Sequence, residues 1–388
     1  MEKLKSVLII GAGANDVQHG DELDSAIYQV SRVFKQMKIK TILADDNPFS
    51  VSLENVDHGC IVPLKVESLM DIINKFHPDA ILPTLGNRRA FELTQELLEK
   101  GIIRKENIQL LGVPEATIRQ INSAVLLERT LRQMEAPVKK IVTVNNYQDA
   151  LDEATKLGYP VIIRSVLPKS SSTRKIVHDR SELADAVKAC LSQSRAEQVV
   201  VQQSLAGYKE IEVVVQRDSS GTMMMLSMIE DMDPIGIHAG DSIAFNPVQT
   251  LRDRQIQDIR DTAFAITRKL RIVGTNHIQF ALDTNSDRFY VIKSSPYFDR
   301  IDLGENYVHH AALIEPTMDH IAARVPIWGF NDLPKASRLL GTEKRSVGTV
   351  FGIGRSTIEA LFKAIESRYH EPADFHLAAR SRTTFCIN

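Results

Sequence analysis

Apolar and polar positions alternate along the chain with two different periods, and the order of these periods predicts the fold. In the first 121 residues, short apolar runs such as residues 6–10 and 79–84 are separated by helical patterns, for example through residues 26–34. Strands separated by helices predict a parallel sheet with helices on both faces, the doubly wound α/β arrangement. Ligands of such domains bind beyond the carboxyl ends of the strands.

From about residue 122 the pattern changes to a mixture of helices and antiparallel strands. Residues 210–216 and 223–229 alternate in polarity as an antiparallel pair does, which predicts an α+β domain. Later in the chain, a basic segment and a helix over residues 356–366 precede a polar tail. We therefore divide the chain into residues 1–121, 122–325 and 326–388.

Composition sets the class of protein without naming any chemistry. The 388 residues include 47 Lys and Arg against 49 Asp and Glu, which gives no bulk attraction to nucleic acid or to an anionic membrane. Cys60, Cys190 and Cys386 lack metal-ligand spacing, as expected for free thiols in a reducing cytosol. Neither a leader nor an apolar stretch of about 20 residues is found. We expect a cytoplasmic protein without a membrane or nucleic-acid partner.

The turn after the first strand is a candidate dinucleotide site. Gly11 and Gly13 supply two of the three glycines of the usual fingerprint, but Asp16 stands at the third. Asp45 lies beyond the spacing of about 20 residues expected of a ribose-binding acid. The dinucleotide interpretation is therefore disfavoured.

Several longer motifs occur in an order that points to a known family. They are residues 6–13, 81–86 (ILPTLG), 158–164 (GYPVIIR), 204–210 (SLAGYKE) and 233–243 (DPIGIHAGDSI). With these motifs, roughly residues 5–368 resemble the amino-terminal, carboxyphosphate-forming half of the carbamoyl-phosphate synthetase large subunit, an ATP-grasp protein. That family's second half has no counterpart in this chain, which suggests a stand-alone relative.

The resemblance implies a fold and a set of ligand contacts. It implies a pre-ATP-grasp, Rossmann-like domain at residues 1–121, an ATP-grasp domain at 122–325 and, at 326–388, a truncated helical segment like the family's oligomerisation domain, followed by a tail. The implied nucleotide contacts are Arg164, Gln203, Glu210, Gly236, His238, Gly240 and Gln279. Tight turns are an equally good explanation of the two glycines. Similarly, a satisfied hydrogen-bonding histidine remains an alternative for His238.

The metal site implied by the resemblance is incomplete. Gln279 keeps one ligand, but Lys293 occupies the position of an acid and Ser295 that of an asparagine. Tyr297 replaces an arginine that would hold the bicarbonate-derived group. Mg²⁺ prefers hard oxygen ligands, and an ammonium repels it. ATP therefore remains a candidate cofactor, whereas the sequence argues against Mg²⁺.

Other positions also depart from the family pattern. The phosphate-covering loop, at residues 168–175, contains no glycine, Ala124 replaces an arginine, and Gln203 replaces a ribose-binding acid. Lys293 has two alternative roles, since it can neutralise a phosphate as a point charge or form a closed ion pair with Glu210.

Two further questions about charged residues stay open at this point. Asp231 or Asp233 is a candidate replacement for the lost acid, which only distances can decide. His309 and His310 have no third ligand at helical spacing, so we expect ordinary surface or core histidines there.

Three functions are compatible with these residues. We favour a catalytically impaired relative that binds a ligand or docks on carbamoyl-phosphate synthetase subunits. The alternatives are an active ATP-dependent ligase of bicarbonate or another carboxylate with an amine, and a scaffold that binds no nucleotide. Because the family's two halves pack face to face, a lone half is expected to form a homodimer.

Overall fold

A computed structural model describes residues 4–13, 20–166, 174–194, 196–237, 241–296, 318–328, 346 and 348–367. Within these ranges the chain forms three sheets with helices packed against them. No helix in the described ranges is both long enough and apolar enough to cross a membrane.

The first domain is the predicted doubly wound unit. Its five strands are parallel and lie in the order β3-β2-β1-β4-β5. Leu8 and Ile10 pack into one core cluster and Val7 and Ile9 into another, because helices cover both faces of the sheet. The elements are β1 Ser6–Ile10, α1 Gly20–Gln36, β2 Lys40–Asp45, a short 3-10 helix Val51–Glu54, β3 His58–Ile61, α2 Val66–Phe76, β4 Ala80–Leu82, α3 Arg88–Glu99, α4 Ile102–Lys105 and β5 Gln109–Leu110.

A small antiparallel sheet follows two connecting helices. Its strands lie in the order β6-β9-β7-β8, and α7 and α8 cover one face through buried residues such as Leu151 and Leu183. The other face is therefore left for a ligand. The elements are α5 Glu115–Asn122, α6 Ala124–Gln133, β6 Ile141–Val144, α7 Tyr147–Leu157, β7 Val161–Ser165, β8 Arg174–Val177, α8 Arg180–Ser192 and β9 Val199–Gln203.

The third sheet has seven strands in the order β14-β13-β10-β11-β12-β15-β16. Helix α9 covers one face of it by packing on alternate residues of β10, including Ile211 and Val213. Glu210 and Glu212 point to the opposite face, since successive side chains of a strand alternate. The elements are β10 Lys209–Arg217, β11 Met223–Asp231, β12 Ala244–Asn246, α9 Asp253–Lys269, β13 Gly274–Leu282, β14 Phe289–Ser295, β15 Ile321–Ile327, β16 Gly348–Gly354 and α10 Thr357–Glu366.

The carboxyl-terminal part differs from the helical segment expected at residues 326–388. Strand β16 pairs with β15 along its whole length and extends the seven-stranded sheet, and α10 packs against both strands. The close contact depends on glycine, because a Cβ on Gly352 would lie 2.1 Å from the carbonyl oxygen of Ala360. Small residues at this crossing thus join the segment to the sheet instead of starting a separate helical unit.

Candidate functional site

A cavity of about 470 Å³ lies between the four-stranded sheet and the edge of the seven-stranded sheet. Its walls are mostly apolar, with Val291 and Ile292 of β14 facing Ile162 of β7 across it. Such a concave, mainly apolar space with a few polar groups is typical of small-molecule sites. The polar or charged residues lining it are Glu128, Lys139, Arg164, Gln202, Ser204 and Glu210.

The floor of the cavity is one cross-strand row of the four-stranded sheet. Gln202 of β9 lies between Ile141 of β6 and Ile162 of β7, and Ile162 lies opposite Ile176 of β8. All four residues line the cavity because directly opposed residues share a face. We call these residues, Ile141, Gln202, Ile162 and Ile176, the floor row. It presents three branched apolar side chains and one neutral amide.

Two turns close one end of the cavity. The amide of Gly207 donates to the carbonyl of Ile235 at 3.0 Å, and the amide of Ile235 donates to the carbonyl of Tyr208 at 2.8 Å. Gly236 follows with φ +101°, a conformation that favours glycine. Gly236 lines the cavity, yet the turn by itself accounts for its being glycine.

The structure places the predicted nucleotide contacts in three groups. Arg164, Glu210 and Gly236 line the cavity. Gln203 and Gln279 do not line it, whereas Gln202, which is adjacent to Gln203, does. Outside the described residues lie His238, Gly240, Tyr297, His309, His310 and most of the loop at 168–175.

A second row crosses the seven-stranded sheet next to the cavity. Glu212 of β10 lies directly opposite Gln279 of β13, and Gln279 lies opposite Lys293 of β14. The three side chains share a face and their Cα atoms are about 5 Å apart from strand to strand. We call Glu212, Gln279 and Lys293 the charged row. On β10, Glu212 lies two residues after Glu210, and on β14, Lys293 lies one residue after Ile292. Both Glu210 and Ile292 line the cavity, so the charged row is next to it.

A buried hydrogen bond lies beside the charged row. Nδ1 of His277 is 3.1 Å from Oε1 of Glu212, and the two side chains are 3% and 4% exposed. His277 also lies directly opposite Ser295, which is 1% exposed. Within the part of the chain that the structure describes, the Oγ of Ser295 has no hydrogen-bond partner. Lys293 and Ser295 are the residues at the two positions where the family resemblance implies an acid and an asparagine.

The charged row combines one carboxylate, one amide and one ammonium group. Mg²⁺ needs several hard oxygen ligands, usually including free carboxylates. Here one carboxylate is hydrogen-bonded to His277, one ligand is the amide of Gln279, and Lys293 adds a positive charge. Within the described ranges, no three His, Cys, Asp or Glu side chains are grouped so that they could hold a metal ion.

The distances also answer part of the question about replacement acids. On β11 the residue opposite Glu212 is Ile229, so Asp231 lies two residues away from the charged row. Oδ1 of Asp231 is 3.8 Å from Nη2 of Arg324, and both side chains are buried. The backbone amide of Asp233, beyond the strand, donates to Ser242 Oγ. Asp231 is thus paired elsewhere.

The sequence prediction missed three polar residues in or beside the two rows, namely Glu212, His277 and Gln202. Glu212 follows Glu210 at the strand period of two, a signal that both carboxylates share one face. His277 is two residues before Gln279 and could have been found in the same way. For Gln202 no such signal exists, because only the sheet register decides which of two adjacent glutamines faces the cavity.

Two family models match the chain in the same order as the predicted domains. Residues 3–120 match the carbamoyl phosphate synthase preATP-grasp domain, and residues 124–300 match the carbamoyl-phosphate synthase L chain, ATP binding domain. The arginine-specific large chain of carbamoyl phosphate synthase from Lactiplantibacillus plantarum is 33% identical over 398 residues. That match covers 95% of this chain but 39% of the relative, so the chain spans about two fifths of the relative's length.

Solved structures with low sequence identity share the fold. The N5-carboxyaminoimidazole ribonucleotide synthetase of Thermotoga maritima has a TM-score of 0.64 at 15% identity, covering 94% of this chain and 98% of that one. The biotin carboxylase domain dimer of Hydrogenobacter thermophilus 2-oxoglutarate carboxylase, in complex with MgADP, ADP and bicarbonate, has a TM-score of 0.64 at 14% identity, covering 84% and 75%. These similarities show an ATP-grasp fold. The chain therefore belongs to the carbamoyl-phosphate synthase large-chain family and contains its preATP-grasp and ATP-binding domains.

Proposed function

We propose that this protein is a nucleotide-binding member of the family whose phosphoryl-transfer site is impaired. ATP or ADP occupies the cavity, and the charged row does not support metal-dependent transfer. The observation that carries the proposal is the position of Lys293, directly opposite Gln279 and one strand further from Glu212. An ammonium stands where the family resemblance implies an acidic ligand.

Phosphoryl transfer depends on charge neutralisation more than on covalent chemistry. Metal ions bridge the phosphate oxygens in the known enzymes, and a single cationic group can contribute about 10³-fold or more to the rate. When a bound ion is part of an ATP-grasp site, it neutralises phosphate charge during transfer. With Lys293 and Ser295 in the ligand positions, we expect this contribution to be lost.

The cavity nevertheless keeps what a nucleotide needs. Its apolar floor suits a planar base, Glu210 can accept hydrogen bonds from ribose hydroxyls, and Arg164 can bind an anionic group. The biotin carboxylase domain with the same fold is described with ADP bound. Binding without turnover is therefore the function that the site supports best.

Calorimetry with ADP, in Mg²⁺ and in EDTA, tests this proposal. The unmodified chain should bind ADP equally well in both. Lys293→Glu should bind ADP about 10-fold more tightly in Mg²⁺ than in EDTA, a difference of about 1.4 kcal/mol in the free energy of binding. As a control for net charge, Lys105→Glu changes a side chain that is 75% exposed in the first domain, and should behave like the unmodified chain.

The other hypotheses predict different results. Tight binding of ADP only with Mg²⁺ by the unmodified chain, together with ADP release from ATP that depends on bicarbonate or an amine, would establish an active ligase. If neither the unmodified chain nor Lys293→Glu binds ADP, the nucleotide-independent scaffold is favoured.

The homodimer and the cytoplasmic location remain predictions. A monodisperse monomer in sedimentation at micromolar concentration would contradict the homodimer.

A further inference from the structure

A second cavity, of about 700 Å³, lies between α5 and the carboxyl-terminal end of α9. Among the described residues, the charged side chains that line it are all cations, namely Arg268, Lys269 and Arg271, which we call the cation cluster. The nucleotide cavity, in contrast, combines acids and bases in its lining. Since the whole chain has a formal net charge of -2, three cations without an acid are a local feature of this cavity.

The cation cluster differs from the basic residues earlier in α9. Those have acidic partners, as in the pair Arg254 and Asp258, whose side chains approach to 3.7 Å. Residues 262–282 contain no Asp or Glu that could act in the same way. Within the described ranges, no side chain of the cation cluster takes part in an ion pair or a hydrogen bond. Its positive charge is therefore not neutralised by those parts of the protein.

The acid nearest to the cavity lining in the sequence is already engaged. Glu115, at the start of α5, stands between the lining residues Pro114 and Ala116. Its Oε1 lies 2.8 Å from Nη2 of Arg119 and 3.1 Å from Nη2 of Arg104. Two arginines outside the cavity thus already pair with this carboxylate.

Capping of α9 does not account for the cation cluster either. Basic side chains at the end of a helix often hydrogen-bond its last carbonyl groups. Here those carbonyls have other donors: the hydroxyl of Thr117 donates to the carbonyl of Leu270, and the amide of Ile272 donates to that of Thr267 at 3.3 Å. The donors of the cation cluster consequently remain available to a ligand.

The lining indicates the chemistry of that ligand. Guanidinium groups match phosphate through two parallel N–H bonds, and a lysine adds a point charge. The apolar part of the lining, which can contact an organic group, consists of Pro114, Ala116, Met134 and Ala265. The volume also lies in the range of about 300–1,000 Å³ that is typical of small-molecule sites.

We propose that the cation cluster binds a small organic phosphate with two or more negative charges, at a site separate from the nucleotide cavity. The proposal goes beyond the proposed function and does not depend on it. The ligand would lie where several elements meet. Just after the cation cluster, the amide of Val273 donates to the carbonyl of Gly112 at 2.7 Å, and Arg217 of β10 donates to the carbonyl of Ile272 at 3.2 Å.

Calorimetry with pyrophosphate tests this site, in EDTA, at about 0.15 M salt and with excess ADP present, because salt at this concentration screens diffuse attraction between exposed charges. The unmodified chain should bind pyrophosphate. Arg268→Gln and Arg271→Asn should each bind it about 10-fold more weakly, since each loses charge-assisted hydrogen bonds to the anion. Asparagine suits the φ of +53° at residue 271. Thermal unfolding checks that both variants are folded.

Arg254→Gln is the matched control, because it removes the same charge from the same helix at a side chain that is 81% exposed and does not line the cavity. It should bind pyrophosphate as the unmodified chain does. Absence of binding by the unmodified chain would overturn the proposal, and so would equal weakening in Arg254→Gln or full affinity in both cluster variants.

A separate titration with ADP distinguishes this proposal from the proposed function. The two cluster variants should bind ADP with the affinity of the unmodified chain, because neither residue lines the nucleotide cavity. If no protein bound ADP while the pyrophosphate results held, the proposed function would fail and the second site would stand. A parallel loss of ADP and pyrophosphate binding in the folded cluster variants would contradict two separate sites.

Discussion

The two rows of side chains at the candidate site have opposite relations to the protein around them. In the floor row, Gln202 lies between isoleucines, and its amide makes no hydrogen bond to the described residues. In the charged row, Glu212 is hydrogen-bonded to His277 and stands in line with Gln279 and Lys293. Under the proposed function, the amide of Gln202 is available to a ligand, whereas the carboxylate of Glu212 is hydrogen-bonded to His277 within the protein.

Under the proposed function, this difference explains how nucleotide binding can persist without phosphoryl transfer. A base-binding surface needs shape and one or two hydrogen bonds, and the floor row supplies both. Phosphoryl transfer needs several charges in a fixed geometry, so the replacement of an acid by Lys293 has a large effect. The comparison therefore predicts that substitutions in the charged row mainly change stability and ion dependence, whereas those in the floor row mainly change ligand affinity.

The largest expected effect on stability is that of Glu212→Ala. The substitution removes the buried hydrogen bond between Glu212 and His277, and leaving a buried group short of a hydrogen bond to a charged partner typically costs about 3 kcal/mol. We expect the free energy of unfolding, measured with urea, to fall by about this amount. Glu212→Gln, which keeps an acceptor, should lose less.

Gln202→Ala is the counterpart in the floor row. Its amide has no hydrogen-bond partner among the described residues, so the free energy of unfolding should change by less than about 1 kcal/mol, while under the proposed function the affinity for ATP should fall. A loss of stability as large as that of Glu212→Ala would contradict the distinction between the two rows.

A smaller effect is expected from Glu230→Gln, on the opposite face of the seven-stranded sheet. Burial raises the pKa of Glu230, but hydrogen bonds from Lys209, from the Thr250 hydroxyl and from the amides of Gln249 and Thr250 outweigh it, so the pKa lies below the ordinary value of 4.5. The stabilising contribution of this carboxylate is therefore complete above about pH 4.5 and is lost as the pH falls through the lower folded-state pKa.

At neutral pH, Glu230→Gln should reduce the free energy of unfolding by about 2 kcal/mol, because hydrogen bonds to a charged acceptor are replaced by weaker ones. The difference from the unmodified chain should shrink as the pH is lowered below 4.5. Glu67→Gln is the control, since that side chain is 65% exposed. If nucleotide affinity changed together with stability, the two faces of the sheet would not be independent.

The fold was more accessible from the sequence than the site. Buried strands such as β1 and β4 are short apolar runs, and the alternation in β10 and β11 distinguishes the face under α9 from the other. The family motifs also led to Arg164 and Glu210, which do line the cavity.

What the sequence could not provide was the alignment of one strand with the next. The choice of Gln202 over Gln203 and the line from Glu212 to Lys293 depend on which residues lie opposite each other, and a shift of one residue would reverse every face. Similarly, strand β16 lies where the family resemblance implied a helical segment, and its glycines allow close contact with α10.

The smallest effect is expected from two adjacent serines of β14, both 1% exposed. Ser294 Oγ donates to Asn276 Oδ1 at 3.0 Å, and Asn276 Nδ2 donates to Thr267. Ser295 Oγ has no hydrogen-bond partner among the described residues.

Removing the hydroxyl of Ser294 leaves Asn276 Oδ1 without that hydrogen bond, whereas removing the hydroxyl of Ser295 removes a buried polar group that makes none. We expect Ser294→Ala to lower the free energy of unfolding by about 1 kcal/mol and Ser295→Ala to change it by less than about 0.5 kcal/mol or to raise it. Urea unfolding of the two variants measures this. A clear loss of stability in Ser295→Ala would mean that the hydroxyl beside His277 is engaged in the folded protein, and the charged row would then be more fully satisfied than its geometry indicates.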